Sequence, residues 1–388
     1  MKKKLMALLL SLTMTAALVG CGGTKEETTT SETTTEAATT EEATTETVAT
    51  SDVKASVFWY EESDVYLSTV RTALNAELEA AGIAYDNQFA ANDQAKQIDQ
   101  IKTAIAGGSN LLIVNIVTSG APDTAQDIID VAGDIPVIFF NRAIGTDGSD
   151  NAVLSENATT CFIGTDAPEA GHMQGKMVGE YVVANFDTVD KNGDGVITYA
   201  MMKGQEGNVE AEFRTQYGVE DANAVLKEAG KPELVYFDPA AKVQYQVDQN
   251  GKWSAQAATD YMTTNLVSFN ADAGNMIELV ICNNDGMAEG VVATLQANQY
   301  NKEGCHVIPV FGVDATENAK ALIADGAMTG TVKQDAEGMA AAIAQTAKGI
   351  LDGSTPVDAL AALTDERFSV SKDCTSKLFV AYAPYTGE

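Results

Sequence analysis

The residues with the clearest potential for chemistry lie in the stretch DKNGDGVIT at 190–198. Asp190, Asn192 and Asp194 alternate with other residues, and a glycine follows them. Calcium loops place oxygen ligands at positions one, three and five and a glycine at position six, where the chain turns sharply. The twelfth position of such a loop supplies a bidentate glutamate, but here it is Met201. The spacing predicts either a calcium site whose last ligand comes from elsewhere in the chain, or a polar turn of similar sequence.

A second group of polar residues lies at the ends of predicted strands. The members of this group are Tyr60, Asn115, Asn284, Asp314 and Gln334. Open α/β sheets bind ligands at the carboxyl ends of their strands, so these side chains are expected to line one cleft. Planar polar groups offer the donors and acceptors that sugar hydroxyls require. Tyr60, Tyr66 and Trp253 could cover the C–H faces of a pyranose ring, although any one of them could equally be a core residue.

Catalytic chemistry has less support in this sequence. It contains no G-x-S-x-G elbow, no P-loop, no H-E-x-x-H motif, and no G-x-G-x-x-G after the first predicted strand. Only two histidines, His172 and His306, are present, which disfavours a zinc centre or a histidine-based triad. Asp64 and Asp314 could form the carboxylate pair of a glycosidase, but the sequence does not give their separation. The residues therefore favour binding over catalysis, with no enzyme activity expected.

Alternating strand and helix patterns must position the polar residues. Such repeats indicate parallel sheets with right-handed crossovers. A polar interval at 145–158 separates two sets of these units, which predicts two similar lobes with a ligand cleft between them. The strand-like runs lie at 56–60, 83–89, 111–117, 136–140, 161–166, 196–202, 234–237, 278–285, 307–314 and 328–332.

The amino terminus and the overall charge limit where the protein works. Residues 1–20 have the MKKK start and the apolar stretch of a signal peptide, and LVGC at 18–21 resembles the bacterial lipobox, in which Cys21 would carry the lipid. Residues 21–53 are dominated by Thr and Glu and are predicted to be a disordered stalk. The formal charge of −31 argues against a nucleic-acid partner.

Several blocks of this sequence resemble the galactose/glucose-binding proteins, in the same order and with similar spacing. The blocks are SVFWYEESDVYLSTVR, NIV, PVIFFN, IGTD, KGQEGNVEAEFRT, ICNNDGMA, PVFGVDA and GTVKQDA. These proteins are extracytoplasmic receptors of ABC sugar importers with the two-lobed type I periplasmic-binding-protein fold. The resemblance covers nearly the whole chain after the stalk. Sugar-responsive repressors share this fold but carry a helix-turn-helix at the amino terminus. This sequence has a lipobox and an acidic stalk there, which argues against a repressor.

The resemblance implies a monomeric lipoprotein, anchored outside the cytoplasmic membrane, that binds D-galactose and/or D-glucose and delivers it to a membrane permease. The alternatives are a sugar sensor that presents its ligand to a chemoreceptor or kinase, and an extracytoplasmic carbohydrate-acting enzyme. Two Rossmann-like lobes are implied, with three hinge crossovers near 135–137, 333–335 and 379–382. The expected first lobe is 54–136 plus 335–380, and the expected second lobe is 137–334 plus 381–388.

The family's sugar contacts fall on both lobes, with Tyr66 and Trp253 supplying the two rings that would sandwich a pyranose. Tyr66 stands where Phe is usual, Asn208 replaces a His, Glu210 an Asp, and Gln334 an Asn. The complete implied set is Tyr60, Asp64, Tyr66, Asn115, Asn208, Glu210, Arg214, Trp253, Asn284, Asp314 and Gln334.

The resemblance also supplies the missing calcium ligand. In this family the loop binds a structural Ca²⁺ and its last, bidentate ligand comes from a distant strand, which corresponds here to Glu278. Thr198 stands where Gln is usual, and its shorter side chain is expected to reach the ion through a bridging water. The implied ligands are Asp190, Asn192, Asp194, the Val196 carbonyl, Thr198 and Glu278.

Overall fold

The computed structural model describes residues 54–146 and 148–387. The predicted signal peptide, stalk and lipidated Cys21 lie outside the described residues. The strands are β1 (Lys54–Trp59), β2 (Ala84–Phe89), β3 (Leu111–Val114), β4 (Val137–Asn141), β5 (Thr160–Gly164), β6 (Thr198–Lys203), β7 (Val235–Tyr236), β8 (Gln246–Val247), β9 (Leu279–Cys282), β10 (Val310–Asp314), β11 (Gly330–Gln334), β12 (Phe368–Val370), β13 (Lys377–Val380) and β14 (Tyr382–Tyr385).

Helices connect most of these strands, as the sequence periodicity predicts. They are α1 (Val65–Ala80), α2 (Gln94–Ala106), α3 (Pro122–Ala132), α4 (Asp150–Glu156), α5 (Ala167–Val189), α6 (Val209–Glu228), α7 (Ala255–Ser268), α8 (Asp285–Ala297), α9 (Glu317–Ala324), α10 (Ala336–Leu351) and α11 (Pro356–Ala361). Among the described residues, no helix combines the length and apolarity needed to cross a bilayer.

Two sheets form the cores of two lobes, which confirms the predicted fold class. The first sheet has the order β12-β13-β5-β4-β3-β1-β2, and the second has β14-β11-β10-β9-β6-β7, with β8 paired to β6. Most neighbouring strands are parallel; the exceptions are the β12–β13 and β11–β14 pairs. All residues of β3 and of β9 are buried, as expected for central strands covered by helices on both faces.

The chain first passes between the lobes after β5, and the crossover predicted near 135–137 is wrong. β4 pairs in parallel with β3, placing Ile138 opposite Ile113, and β5 pairs with β4. The polar interval at 145–158 contains the helix α4, so β4, α4 and β5 form one more strand–helix–strand unit of the first sheet. The first lobe therefore includes 137–164, which the predicted boundary assigned to the second lobe.

Two later passages complete the connection between the lobes. β11 lies in the second sheet and ends at Gln334, and the following helix α10 packs on α1 of the first lobe. β13 lies in the first sheet and β14 in the second, so the chain returns at Ala381. Three chain segments therefore link the lobes. They follow Gly164 at the end of β5, Gln334 at the end of β11 and Val380 at the end of β13.

Backbone-to-backbone packing fixes the position of α6 in the second lobe. Gly171, Gly175 and Gly179 lie four residues apart on α5 and face α6. A Cβ atom at Gly171 or Gly175 would collide with the carbonyl oxygen of Phe213 or Tyr217, respectively. Because these side chains are absent, the backbones of α5 and α6 are in direct contact. The first two turns of α6 carry two of the predicted ligand contacts, Glu210 and Arg214.

Candidate functional site

A cavity lies between the lobes at the carboxyl ends of the strands. The space outside protein atoms, including the opening to solvent, is about 380 Å³. The residues that line it are Tyr60, Asp64, Tyr66, Leu67, Asn141, Arg142, Asn208, Glu210, Arg214, Trp253, Asn284, Asp314 and Gln334.

In the first lobe, the loop after β1 supplies an ordered phenol and carboxylate. The Tyr60 hydroxyl donates to Asp64 Oδ2 at 2.8 Å, and Asp64 Oδ1 accepts the Leu67 N–H at 2.9 Å as the N-cap of α1. Each carboxylate oxygen retains a further lone pair, so Asp64 can still accept from a ligand hydroxyl. The Arg142 guanidinium lies over the Tyr60 ring, with its Cζ 4.0 Å from the ring centroid. This cation–π contact helps to hold both groups in place.

Two helix N-caps of the second lobe also line the cavity. Asn208 Oδ1 accepts the Ala211 N–H at 2.9 Å at the start of α6, and Asn284 Oδ1 accepts the Met287 N–H at 3.0 Å at the start of α8. N-cap side chains satisfy helix N–H groups that otherwise lack partners. Because the amide oxygens serve this purpose, the NH₂ groups of these two asparagines are the atoms best suited to donate to a ligand.

Arg214 is buried in the wall of the cavity with one unused donor. Its Nη1 donates to the Asn283 carbonyl at 2.9 Å and its Nη2 to Gln334 Oε1 at 2.9 Å, whereas its Nε is buried and has no partner among the described residues. The Nε of Arg142 is buried and unpartnered in the same way. Buried donors are nearly always satisfied in folded proteins, so these two atoms indicate acceptors supplied by a ligand or water.

Contacts across the cleft close the lobes over the cavity. Glu210 Oε1, in the second lobe, accepts the Ala143 N–H of the first lobe at 2.8 Å. Arg142 Nη2 donates to Gln205 Oε1 across the cleft at 2.7 Å. Each of these two contacts therefore includes one residue that lines the cavity, Glu210 or Arg142.

The aromatic wall of the second lobe is Trp253, which is 8% exposed. Gly204 lies against its ring so closely that a Cβ atom there would overlap the indole. This packing orients Trp253, which is one of the residues that line the cavity. Tyr66, on α1 of the first lobe, also lines the cavity and directs its hydroxyl toward Met339 Sδ at 3.9 Å.

Three residues that line the cavity have an unusual backbone conformation. Asn141, Trp253 and Asp314 have φ values of 61°, 55° and 127°, which non-glycine residues adopt rarely. Such conformations cost about 1–3 kcal/mol each and persist where the surrounding structure enforces them, commonly at ligand sites.

Similarity to known proteins agrees with this architecture. A family model described as a periplasmic binding protein domain matches residues 55–355. The chain belongs to the periplasmic binding protein family. As a member of it, this chain is an extracytoplasmic solute-binding protein rather than an enzyme.

Individual relatives show the extent of the similarity. The D-galactose/methyl-galactoside binding periplasmic protein MglB of Haemophilus influenzae is 31% identical over 314 residues, covering 79% of this chain and 84% of that protein. A putative rhizopine-binding protein of Rhizobium meliloti is 28% identical over 258 residues, covering 66% of this chain and 71% of that protein. A solved ABC transporter solute binding protein from Clostridium phytofermentans, with bound β-D-glucose, shares the fold with a TM-score of 0.62 at 19% identity, covering 86% of this chain and 94% of that one.

In this periplasmic binding protein, all of the predicted cavity residues except Asn115 line the cavity. Asn115 is fully buried behind the wall, where its Oδ1 accepts the Tyr60 N–H at 3.4 Å and its Nδ2 donates to the Phe140 carbonyl at 3.1 Å. Asn115 Nδ2 also donates to Asn141 Oδ1 at 3.2 Å, so it orients a residue that does line the cavity. Asn141 and Arg142 were not predicted from the sequence, although Asn141 is the polar end of β4 and Arg142 follows it.

Burial changes the acidity of the carboxyl groups at this site. Burial raises the pKa of Asp64, and it holds the pKa of Asp314 well above its usual range even though Arg214 opposes the shift. Behind Asp314, burial raises the pKa of Asp285 to about 7. Asp285 Oδ1 accepts the Thr331 hydroxyl at 2.7 Å and its Oδ2 accepts the Thr316 N–H at 2.8 Å.

The Asp285 shift predicts a specific dependence of stability on pH. The folded protein retains a proton that the unfolded chain has released, so the free energy of unfolding falls as pH rises from about 4 to about 7 and levels off above that. Asp285→Asn keeps the shape and removes this ionisation, which eliminates a decline of up to about 4 kcal/mol. Thermal unfolding of both proteins between pH 4.5 and 8 measures the difference, and parallel curves for wild type and variant would contradict the prediction.

In this periplasmic binding protein, Glu278 packs against the loop at 190–198 and hydrogen-bonds its backbone, while its role as a calcium ligand stays a prediction. Glu278 Oε1 accepts the N–H groups of Lys191 at 2.8 Å and Asn192 at 3.2 Å, and its Oε2 accepts the Thr198 N–H at 3.1 Å. Burial raises the pKa of Glu278, with a further contribution from the Asp190 charge.

The oxygen ligands predicted for calcium fit the ion in type and in chain order, but their carboxylates bond backbone amides here. Asp190 Oδ1 accepts the Gly193 N–H at 2.8 Å, and Asp194 Oδ1 accepts the Val196 N–H at 2.9 Å. Within the described ranges, no three His, Cys, Asp or Glu side chains are grouped closely enough to hold a metal. In the same ranges, no Lys or Arg lies within ion-pair distance of the Asp190, Asp194 or Glu278 carboxylates.

Proposed function

We propose that this protein is the receptor of an ABC importer for a monosaccharide, D-galactose and/or D-glucose, which binds in the cavity between the lobes. The observation that carries the proposal is the combination of two aromatic rings, Tyr66 and Trp253, with planar polar groups from both lobes in one small cavity. Aromatic rings cover the C–H faces of a pyranose, and the polar groups bond its rim.

The donors and acceptors of the cavity suit hydroxyl groups, which both donate and accept. The Asp64 and Asp314 carboxylates accept, whereas the Asn284 amide and the free Nε of Arg214 donate. MglB of Haemophilus influenzae is named for D-galactose and methyl-galactoside, and the Clostridium phytofermentans structure holds β-D-glucose. These ligands support a hexose for this chain.

Lobe closure supplies the transport mechanism. A ligand that bonds Asp64 on the first lobe and Arg214 on the second binds the closed form more tightly than the open form, so it shifts the hinge equilibrium toward closure. The permease then recognises the closed receptor. The chain needs no nucleotide, because the permease and its ATPase are separate proteins.

The residues that depart from the family pattern bear on which sugar is bound. The Glu210 carboxylate bonds the Ala143 N–H, so it divides its acceptor capacity between the ligand and the opposite lobe. The oxygen of Gln334 accepts from Arg214, which leaves its NH₂ group for the ligand. A site built to bond hydroxyls rejects an analogue that leaves these groups unpaired.

Titration calorimetry with a panel of sugars tests the proposal. D-galactose, D-glucose, methyl β-D-galactoside, D-allose, myo-inositol, D-ribose and D-xylose are compared under one buffer condition. We expect stoichiometric binding of at least one of the first two hexoses and no turnover of it. If neither hexose binds while ribose, xylose or another member of the panel does, the proposed ligand is wrong.

We further propose that the loop at 190–198 holds a structural Ca²⁺ with Glu278 as its distant ligand. Its support is the oxygen-rich spacing and the unneutralised charge of the three carboxylates. A ligand of the native state alone stabilises it by about 2.7 kcal/mol at a hundredfold excess over its dissociation constant. Chelation is therefore expected to lower the melting temperature by several degrees, and Ca²⁺ but not Mg²⁺ to restore it.

The matched variant for calcium is Glu278→Gln, which keeps the shape and removes one ligand charge. We expect this variant to melt at the temperature of the chelated wild type and to be insensitive to chelator. An unchanged melting temperature with chelator, together with no calcium by elemental analysis, would contradict the proposal.

Lipid attachment at Cys21 is the remaining part of the proposal, and its support is the lipobox-like sequence alone. Mass spectrometry of the mature amino terminus tests it: a diacylated Cys21 is expected, and an unmodified terminus formed elsewhere would contradict it.

A further inference from the structure

Tyr382 lies at the third passage between the lobes and is buried with its hydroxyl bonded on two sides. Its ring packs against Ala170, Val313 and Val332. Its oxygen accepts from Arg214 Nη2 at 3.3 Å, and it lies 2.8 Å from Thr165 Oγ1. Because the tyrosine oxygen accepts from the guanidinium, its proton is available for the threonine.

The partners of Tyr382 connect all three chain passages to one guanidinium. Thr165 follows β5 at the first passage, and Gln334 ends β11 at the second. Gln334 Oε1 accepts from Arg214 Nη2 at 2.9 Å, while Tyr382 connects the same nitrogen to the first and third passages. Arg214 also lines the cavity with its unpartnered Nε. One side chain therefore contacts both the cavity and the hinge.

We infer that Tyr382 is a positioning residue, which holds Arg214 against the hinge so that ligand contact and lobe closure depend on the same network. Tyr382 does not line the cavity, so it acts through Arg214 and the passages. The inference rests on the proposed binding of a sugar in the cavity. It predicts that loss of the hydroxyl weakens the binding of every sugar by the same factor, because the closed form becomes less favourable while the contacts to the ligand are kept.

Tyr382→Phe tests this inference with the ring packing intact. We expect about tenfold weaker binding of each sugar that the wild type binds, the effect of one or two hydrogen bonds. The change is expected in the dissociation rate, and the ratio of affinities between sugars is expected to stay at its wild-type value. Calorimetry gives the affinities, and stopped-flow tryptophan fluorescence gives the rates.

Two further variants separate positioning from general stability. Thr165→Val removes only the bond between the two hydroxyls, so its loss of affinity is expected to be no larger than that of Tyr382→Phe. The double variant is expected to lose no more affinity than Tyr382→Phe alone, because Tyr382→Phe already breaks the connection that Thr165→Val removes. Tyr199→Phe is the matched control: Tyr199 is buried in the same lobe and its hydroxyl bonds Gln244 at 3.3 Å, away from the passages. Wild-type affinity is expected for that control.

The outcomes are distinct. Wild-type affinities and dissociation rates in both Tyr382→Phe and Thr165→Val overturn the inference, and a loss that differs between sugars overturns it in favour of direct ligand contact. If the wild type itself binds no sugar, the proposed function fails. The hinge role is then decided by small-angle X-ray scattering of the unliganded proteins: a larger radius of gyration in Tyr382→Phe supports it, and an identical radius overturns it.

Discussion

Replacing Arg214 with methionine is expected to weaken sugar binding about 100- to 1,000-fold. Methionine fills much of the same space but removes the Nε donor from the cavity, and it leaves the Asn283 carbonyl and Gln334 Oε1 without their donor. Hydrogen bonds from a charged group contribute about 1.5–3 kcal/mol each, and two losses near the lower end of that range, about 3–4 kcal/mol together, give the stated factor. Titration calorimetry with the best-bound sugar measures the effect.

Controls for this prediction come from the same chain. Arg71→Met changes an arginine of α1 whose guanidinium lies over the rings of Trp59 and Phe89 and does not line the cavity, and it is expected to bind sugar as the wild type does. Arg214→Lys keeps the charge but loses the fork geometry, so its affinity is expected between those of wild type and Arg214→Met. Arg214→Met protein that melts normally and binds normally would exclude this arginine from the site.

Replacing Trp253 with alanine is expected to weaken sugar binding about 10- to 100-fold. The ring is held in place by Gly204, so the folded protein presents it to the ligand without further ordering. Loss of its buried area and of the stacking geometry removes about 1.5–3 kcal/mol. Trp253→Phe retains an aromatic face and is expected to recover most of the affinity.

Fluorescence offers an independent measurement of the same contact. The sequence contains two tryptophans, and Trp59 is buried in the first lobe with its Nε1 donating to Asn87 Oδ1 at 2.7 Å. A sugar-dependent change in emission is therefore expected from Trp253 and lost in Trp253→Phe. Persistence of the full signal in that variant would show that the ring does not report on the ligand.

Most of the cavity wall was predicted from the sequence by two routes. The ends of predicted strands indicated Tyr60, Asn284, Asp314 and Gln334, and the family resemblance supplied further residues such as Asp64 and Asn208, which form helix N-caps next to the cavity. Asn115 was predicted to contact the ligand because it follows a strand, but its side chain is buried behind the cavity wall. A position at the end of a strand does not specify whether the side chain points toward the cavity or toward the neighbouring strand. Arg142 also follows a strand, β4, but the resemblance contained no contact at that position.

The lobes were predicted correctly in number and class, but not in their first boundary. Seven residues of α4 lie within a polar stretch whose composition resembles a linker. Which sheet β4 and β5 join depends on pairing between distant strands, and their apolar sequences suit a central position in either sheet. Local patterns therefore established the strands, and only the register with β3 assigned them to a lobe.

The direct contact between α5 and α6 has a consequence for how this receptor can change its ligand during evolution. With glycines at 171 and 175 against the carbonyls of the neighbouring helix, there is no intervening layer of side chains whose replacement could shift α6 by small steps. Any larger residue displaces the whole helix and, with it, Arg214. New specificity is therefore accessible mainly by exchanging side chains such as Asn208 and Glu210 on a backbone that stays in place, so receptors that descend from this one should diverge in wall chemistry well before they diverge in shape.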